Sequence, residues 1–255
     1  MTIRWFAAAC FAAVVCLAYA FIGTPQSTVT VTDGKAIPVG TAGTMFMVTL
    51  NMQNDGPPVT LQSVASASEG EAMLVNPDHN GPAVLPGGDT AQLAMDGAHI
   101  MMRVEAGSFL EGTYHSLALV FDNGSEVVAR VLRSEETGSA SAMDHGLSNG
   151  IAASPAPTIE LAREPEVSKN GFSVDIVTEN FEFVRINDTE DHVDGQGHAH
   201  IYLNGVKLGR LYKNRFDIGT LSPGNYVLTV ALNSNDHRPY MVDGKAVALN
   251  YRFKI

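Results

Sequence analysis

Cysteine is nearly absent from this chain. Its 255 residues include two, Cys10 and Cys16, and both lie in the apolar run that opens the sequence. Neither has a lipid-attachment context, since Ala-Ala-Ala and Ala-Val-Val precede them. Once such a leader is removed, methionine supplies the only sulfur. That excludes disulfides, thiolate nucleophiles, thiolate zinc sites and a blue-copper centre, which needs a cysteine ligand. Clustered positive charge is missing too: 16 Lys and Arg stand against 27 Asp and Glu, a net charge of −11. Nucleic acid is excluded as a partner, because its binding depends on basic groups neutralising phosphates. The acidity serves solubility first and attraction of cations second. No G-x-S-x-G, HExxH or glycine-rich phosphate loop occurs, so no enzyme pattern emerges.

What is present begins with MTIRWFAAACFAAVVCLAYAFIG. Arg4, the uncharged stretch Trp5 to Leu17 and the small-x-small Ala18-Tyr19-Ala20 form a secretory signal over residues 1–20. The protein is therefore expected to be exported, to the periplasm. The alternative is an uncleaved membrane anchor, because the apolar stretch extends to Gly23.

Beyond the leader, period-two patterns dominate. TVTVTDG, TMFMVTLNM, AQLAM, HIMMRV, HSLALVFDNG and EVVARVLR read as strands bounded by turn residues, with no helical period between 28 and 133. Residues 134–157, SEETGSASAMDHGLSNGIAASPAP, are small and polar and read as a flexible linker. A second all-β unit follows over 158–255, with hairpin turns at Asn204-Gly205 and Asp243-Gly244. The expectation is an all-β protein of two sandwich or Greek-key domains.

Two constellations carry chemistry. In HIMM, His99 and Met101 share a strand face and Met102 points the other way. An imidazole beside a thioether is a soft, uncharged donor pair suited to Cu(I). The plainer reading is a barrel strand whose methionines fill the core. The surrounding LPGGDTAQLAMDGAHIMM resembles the segment leading to the His-x-Met pair of periplasmic copper chaperones of the PCu(A)C type. MFMVTLNMQNDGPPVTLQSVASASEGEAM and GTYHSLALVFDNGSEVVARV extend the resemblance over residues 28 to 133. The resemblance implies a cupredoxin-like fold for the first domain, with one copper at its surface. It implies His99 and Met101 as ligands, with Met73 at the family's first ligand position. The family's intermediate methionine has no counterpart, and His79 is a substitute candidate. Met45 and Met47 share a face and are assigned to core packing. Met143 and His145 resemble the family's Met/His tail.

The second constellation is histidine on strands. GQGHAHIYLNG sets His198 and His200 on one face, His237 follows in NSNDHRPYM, and His192 lies in DTEDHVDG. Three imidazoles suit Cu(II) or Zn²⁺, and Tyr202, Asp236 and Met241 are candidate supporting groups. The plainer reading is that these are hydrogen-bonded surface histidines. Taken together, the sequence is read as an exported copper protein, a non-enzyme that delivers Cu(I) to an acceptor cuproprotein such as an oxidase copper centre. Its rivals are a metal-free envelope binding or adhesion module and a metal-dependent hydrolase or oxidase built on the later histidines.

Overall fold

The computed structural model describes residues 27–77, 79–134, 150–185 and 192–255. The leader, most of the linker and the Met143/His145 pair lie outside the described residues. Among the described residues the fold is all strand, as the alternation requires, with no helix. Nine strands precede the linker: β1 (Val29–Pro38), β2 (Met45–Asn54), β3 (Val59–Ser66), β4 (Glu71–Val75), β5 (Ala83–Leu85), β6 (Asp89–Leu93), β7 (His99–Arg103), β8 (Tyr114–Phe121) and β9 (Glu126–Arg133). Ten follow it. They are β10 (Thr158–Leu161), β11 (Phe172–Glu179), β12 (Glu182–Phe183), β13 (Gln196–Leu203), β14 (Val206–Leu211), β15 (Arg215–Ile218), β16 (Asn225–Asn233), β17 (Met241–Val242), β18 (Lys245–Ala246) and β19 (Ala248–Lys254).

One 14-stranded sheet runs through both halves in the order β19-β16-β13-β14-β6-β2-β1-β9-β8-β3-β5, with β7 on β2, β4 on β7 and β12 on β13. The halves join where Lys207 of β14 pairs with Gln92 of β6. Loops reinforce the seam. Gly87 and Thr220 exchange backbone hydrogen bonds, the Ala98 amide donates to the Gly205 carbonyl, and the Asn76 side chain donates to the Asn204 carbonyl. The predicted hairpin turns form, with Asn204 and Gly205 at φ 49° and 79° and Asp243 and Gly244 at 51° and 73°. Positive φ at both central residues is the type I′ signature that matches strand twist. The end of the expected linker is fixed rather than free: Ile151 is buried and bonds Pro239 and Met241 through its backbone.

The core follows the period of two. Along β2, Phe46, Val48, Leu50 and Met52 enter one buried cluster, which continues through Leu61 and Leu119 to Val174, Leu203 and Leu228. On β7, Ile100 and Met102 enter that cluster. The opposite parity, His99, Met101 and Arg103, therefore projects from the outer face.

Candidate metal centres

The first centre is set by register. Antiparallel pairing puts Met73 of β4 opposite Met101 of β7, and Met47 of β2 opposite Met101 on its other side. Directly opposed residues project from one face with Cβ atoms about 5 Å apart. Met73, Met101 and Met47 thus form a row of thioethers across three strands, with His99 one step along the same face as Met101. Exposure falls along the row: Met73 is 62% exposed, Met101 half-buried and Met47 4% exposed. His99 is itself only 4% exposed, and its Nδ1 lies 2.9 Å from the Gly97 carbonyl.

Met47 is buried, as the packing assignment expects, and it also stands in the row beside Met101, on the parity opposite to Phe46 and Val48. His79 serves its own loop, its Nδ1 accepting the Gly81 amide at 2.7 Å. It lines a groove of about 770 Å³ together with Tyr202 and His237.

The second centre is compact. His198 and His200 project side by side from β13, with their Nε2 atoms 2.9 Å apart. The His237 ring lies 5.0 Å from that of His198 and 6.1 Å from that of His200. One nitrogen from each of the three rings falls within 4.8 Å of the others. His237 occupies left-handed backbone at φ 65°, held in a turn where Asp236 bonds Arg238 and Ser234. Histidine is among the few residues enriched in that conformation, and such geometry gathers at functional sites. His192 stays outside the trio, its Nε2 against Asp194 at 2.7 Å. Asp236 organises the turn, and Met241 pairs with Ala246, its side chain lying against Gly150.

The support comes from the other half of the chain. Asp96, in the turn before β7, lies 2.8 Å from His200 Nδ1. The same carboxylate oxygen accepts from Lys207 Nζ at 2.7 Å and the Tyr202 hydroxyl at 2.9 Å. Burial alone would raise the Asp96 pKa, but the His200 hydrogen bond and the Lys207 charge outweigh it and hold it well below the carboxylate range. Burial pushes His198 down to about 3, with the neighbouring rings and cations adding to it. His200 is pushed down to about 4 by burial, against the pull of Asp96. Burial also lowers Lys207. Both β13 rings are therefore neutral near pH 7, the state in which imidazole binds metal. Tyr202 was expected as a supporting group. Asp96 and Lys207 were not: the first reads as an Asp-Gly turn, and the second betrays itself only as a lysine among apolar neighbours in NGVKLGRL.

No family model matches the chain, and no curated protein matches it. Among solved structures it is similar to the copper-bound PCuAC domain from PmoF2, at 16% identity over 44% of this chain and 96% of that one, with a TM-score of 0.39. The apo PCuAC domain from PmoF1 gives 21% identity over 44% and 97%, with a TM-score of 0.38. The CupB2 chaperone of Pseudomonas aeruginosa gives 9% identity over 89% of this chain and 100% of that one, with a TM-score of 0.25. Likenesses this slight leave function to the residues themselves.

Proposed function

We propose that this protein is an exported, non-enzymatic copper carrier that takes one Cu(I) on the outer face of β7 and delivers it in the periplasm. The His99 imidazole and the thioethers of Met101 and Met73 hold the ion. Met47 lies behind Met101 as a further sulfur. The recipient is an apo-cuproprotein, such as an oxidase copper centre.

One observation carries this reading: the cross-strand pairing of Met73 with Met101, which sets two thioethers beside an imidazole on a non-core face. Neutral, polarisable donors favour Cu(I) over hard dications. The exposure gradient suits transfer, since an acceptor ligand can approach from the Met73 side while Met101 and His99 still hold the ion. Thioethers also avoid the disulfide and thiolate redox chemistry that cysteine would bring to an oxidising compartment.

The test is Cu(I) titration of the untagged protein under reducing conditions, in competition with a chromophoric chelator. One tightly held Cu(I) is expected, weakened in Met101→Leu and Met73→Leu. Binding that is unchanged in both variants would overturn the assignment of this face. Both substitutions conserve volume, so loss of folding does not confuse the result.

A further inference from the structure

We infer that His198, His200 and His237 form a second metal site, for a borderline dication of the Zn²⁺ or Cu²⁺ class, and that Asp96 from the other half of the chain completes it. The site shares no ligand with the copper face of β7, so it stands or falls on its own.

Convergence is the first argument. Three imidazoles with nitrogens within 4.8 Å of one another, two of them on buried residues, make a donor set that one ion can span. A tetrahedral ion with bonds of 2.0–2.1 Å needs its nitrogens roughly 3.3 Å apart. The 2.9 Å between His198 and His200 needs to open by only a few tenths of an ångström.

The support around His200 is the second. A metal-bound histidine ordinarily gives its remaining ring N–H to a carboxylate, which fixes the tautomer. Asp96 stands 2.8 Å from His200 Nδ1 to accept that proton, with Lys207 Nζ and the Tyr202 hydroxyl 3.1 and 3.3 Å from the same nitrogen. His200 Nε2 is aimed at His198. Lys207 and Tyr202 in turn fix Asp96. His198 needs only to carry its proton on Nδ1 for both Nε2 lone pairs to face the ion.

Access is the third. His237 is half-buried and, with His200, lines a groove of about 490 Å³ between the halves, which also includes Asp33, Lys35, Asp96 and Arg210. An ion enters past His237, and its fourth position opens toward that groove. Because Asp96 belongs to the turn before β7 and the rings to β13 and the turn after β16, a bound ion also fastens the halves together.

The experiment strips the untagged protein with chelator and titrates it with Zn²⁺ and, in a separate arm, with Cu²⁺. Metal per chain, thermal midpoint and, for Cu²⁺, nitrogen hyperfine structure in the EPR spectrum are read. One dication per chain is expected, with a raised midpoint, and this should persist in the Met73→Leu/Met101→Leu double variant. Loss in His198→Gln and His237→Ala supports the site. Retention of the ion in His237→Ala overturns it, and that half-buried turn variant remains decisive if His198→Gln does not fold. Asp96→Asn should keep the stoichiometry but weaken binding about 10–100-fold. Unaltered affinity there overturns the role of Asp96.

Discussion

The Asp96 carboxylate and the His200 imidazole, carried by opposite halves of the chain, meet at 2.8 Å across the seam of one sheet. This contact ties the turn leading into the His99 strand to the pair of rings on β13. A change at either partner is therefore expected to register on both sides of the seam.

Removing the Asp96 charge should loosen the seam even without metal. Asp96→Asn leaves Lys207, which is 6% exposed, without its counter-charge. Because the Asp96 side chain is 37% exposed, the loss falls short of that for a fully buried pair, about 1–3 kcal/mol. Urea unfolding in chelator should show a lower midpoint. Asp96→Asn/Lys207→Met should recover part of the loss, and no recovery would show that the pair is not the cause.

The two adjacent methionines of β7 should separate cleanly. Met102 is fully buried, so Met102→Ala should cost roughly 2–5 kcal/mol of stability and leave Cu(I) stoichiometry intact in the folded fraction. Met101→Leu should do the reverse, keeping the thermal midpoint while lowering Cu(I) affinity by about tenfold or more, equivalent to about 1.4 kcal/mol. Met47→Leu should show a smaller drop of the same kind. Chelator competition and calorimetry on the same samples decide the matter.

Acid should destabilise the metal-free protein in a defined window. The folded pKa values of His198 and His200, about 3 and about 4, lie below the ordinary 6.5. Between those values the unfolded chain binds more protons, so stability falls as pH falls. From pH 6.5 to 5 each ring that stays neutral accounts for about 1.5 kcal/mol of the loss. His237, Asp96, Lys207 and Arg210 face the pair. The depressed Asp96 adds a loss of the same sign below its ordinary value of 3.8. Chemical denaturation in chelator at pH 7, 6 and 5 tests this, and His200→Gln should flatten the slope.

The Asn204-Gly205 turn should tolerate no side chain at its second position. A Cβ on Gly205 would lie 2.1 Å from Asn76 Oδ1, and φ there is 79°. Left-handed backbone alone costs a non-glycine residue about 1–2 kcal/mol. Gly205→Ala should lower the thermal midpoint and weaken dication binding, because the same turn docks against Ala98 beside Asp96.

Much of this was legible in the sequence, and the reason is parity. Alternation predicts that His99 shares a face with Met101 and that Met102 does not, and Asn-Gly marks a type I′ turn through its φ requirement alone. HxH likewise places His198 and His200 together. Parity does not say which face meets the main cluster: Phe46 and Val48 enter it, while Met47, also buried, lies in the thioether row. Nor does it say which strands become neighbours. The alignment of Met47, Met101 and Met73 depends on β7 lying between β2 and β4, and the Asp96–His200 contact depends on β6 meeting β14. Both are long-range pairings that local pattern does not encode.

The pairing of Gln92 with Lys207 also bears on how the chain reaches its native state. Hairpins such as β8–β9 and β13–β14 close small loops, whereas β6 and β14 must find each other across more than a hundred residues, and closing such a loop is slow. In a stopped-flow experiment, hairpin formation should precede the docking that brings Asp96 to His200. A zinc-sensitive signal should then lag the far-ultraviolet one, and Gly205→Ala should lengthen that lag.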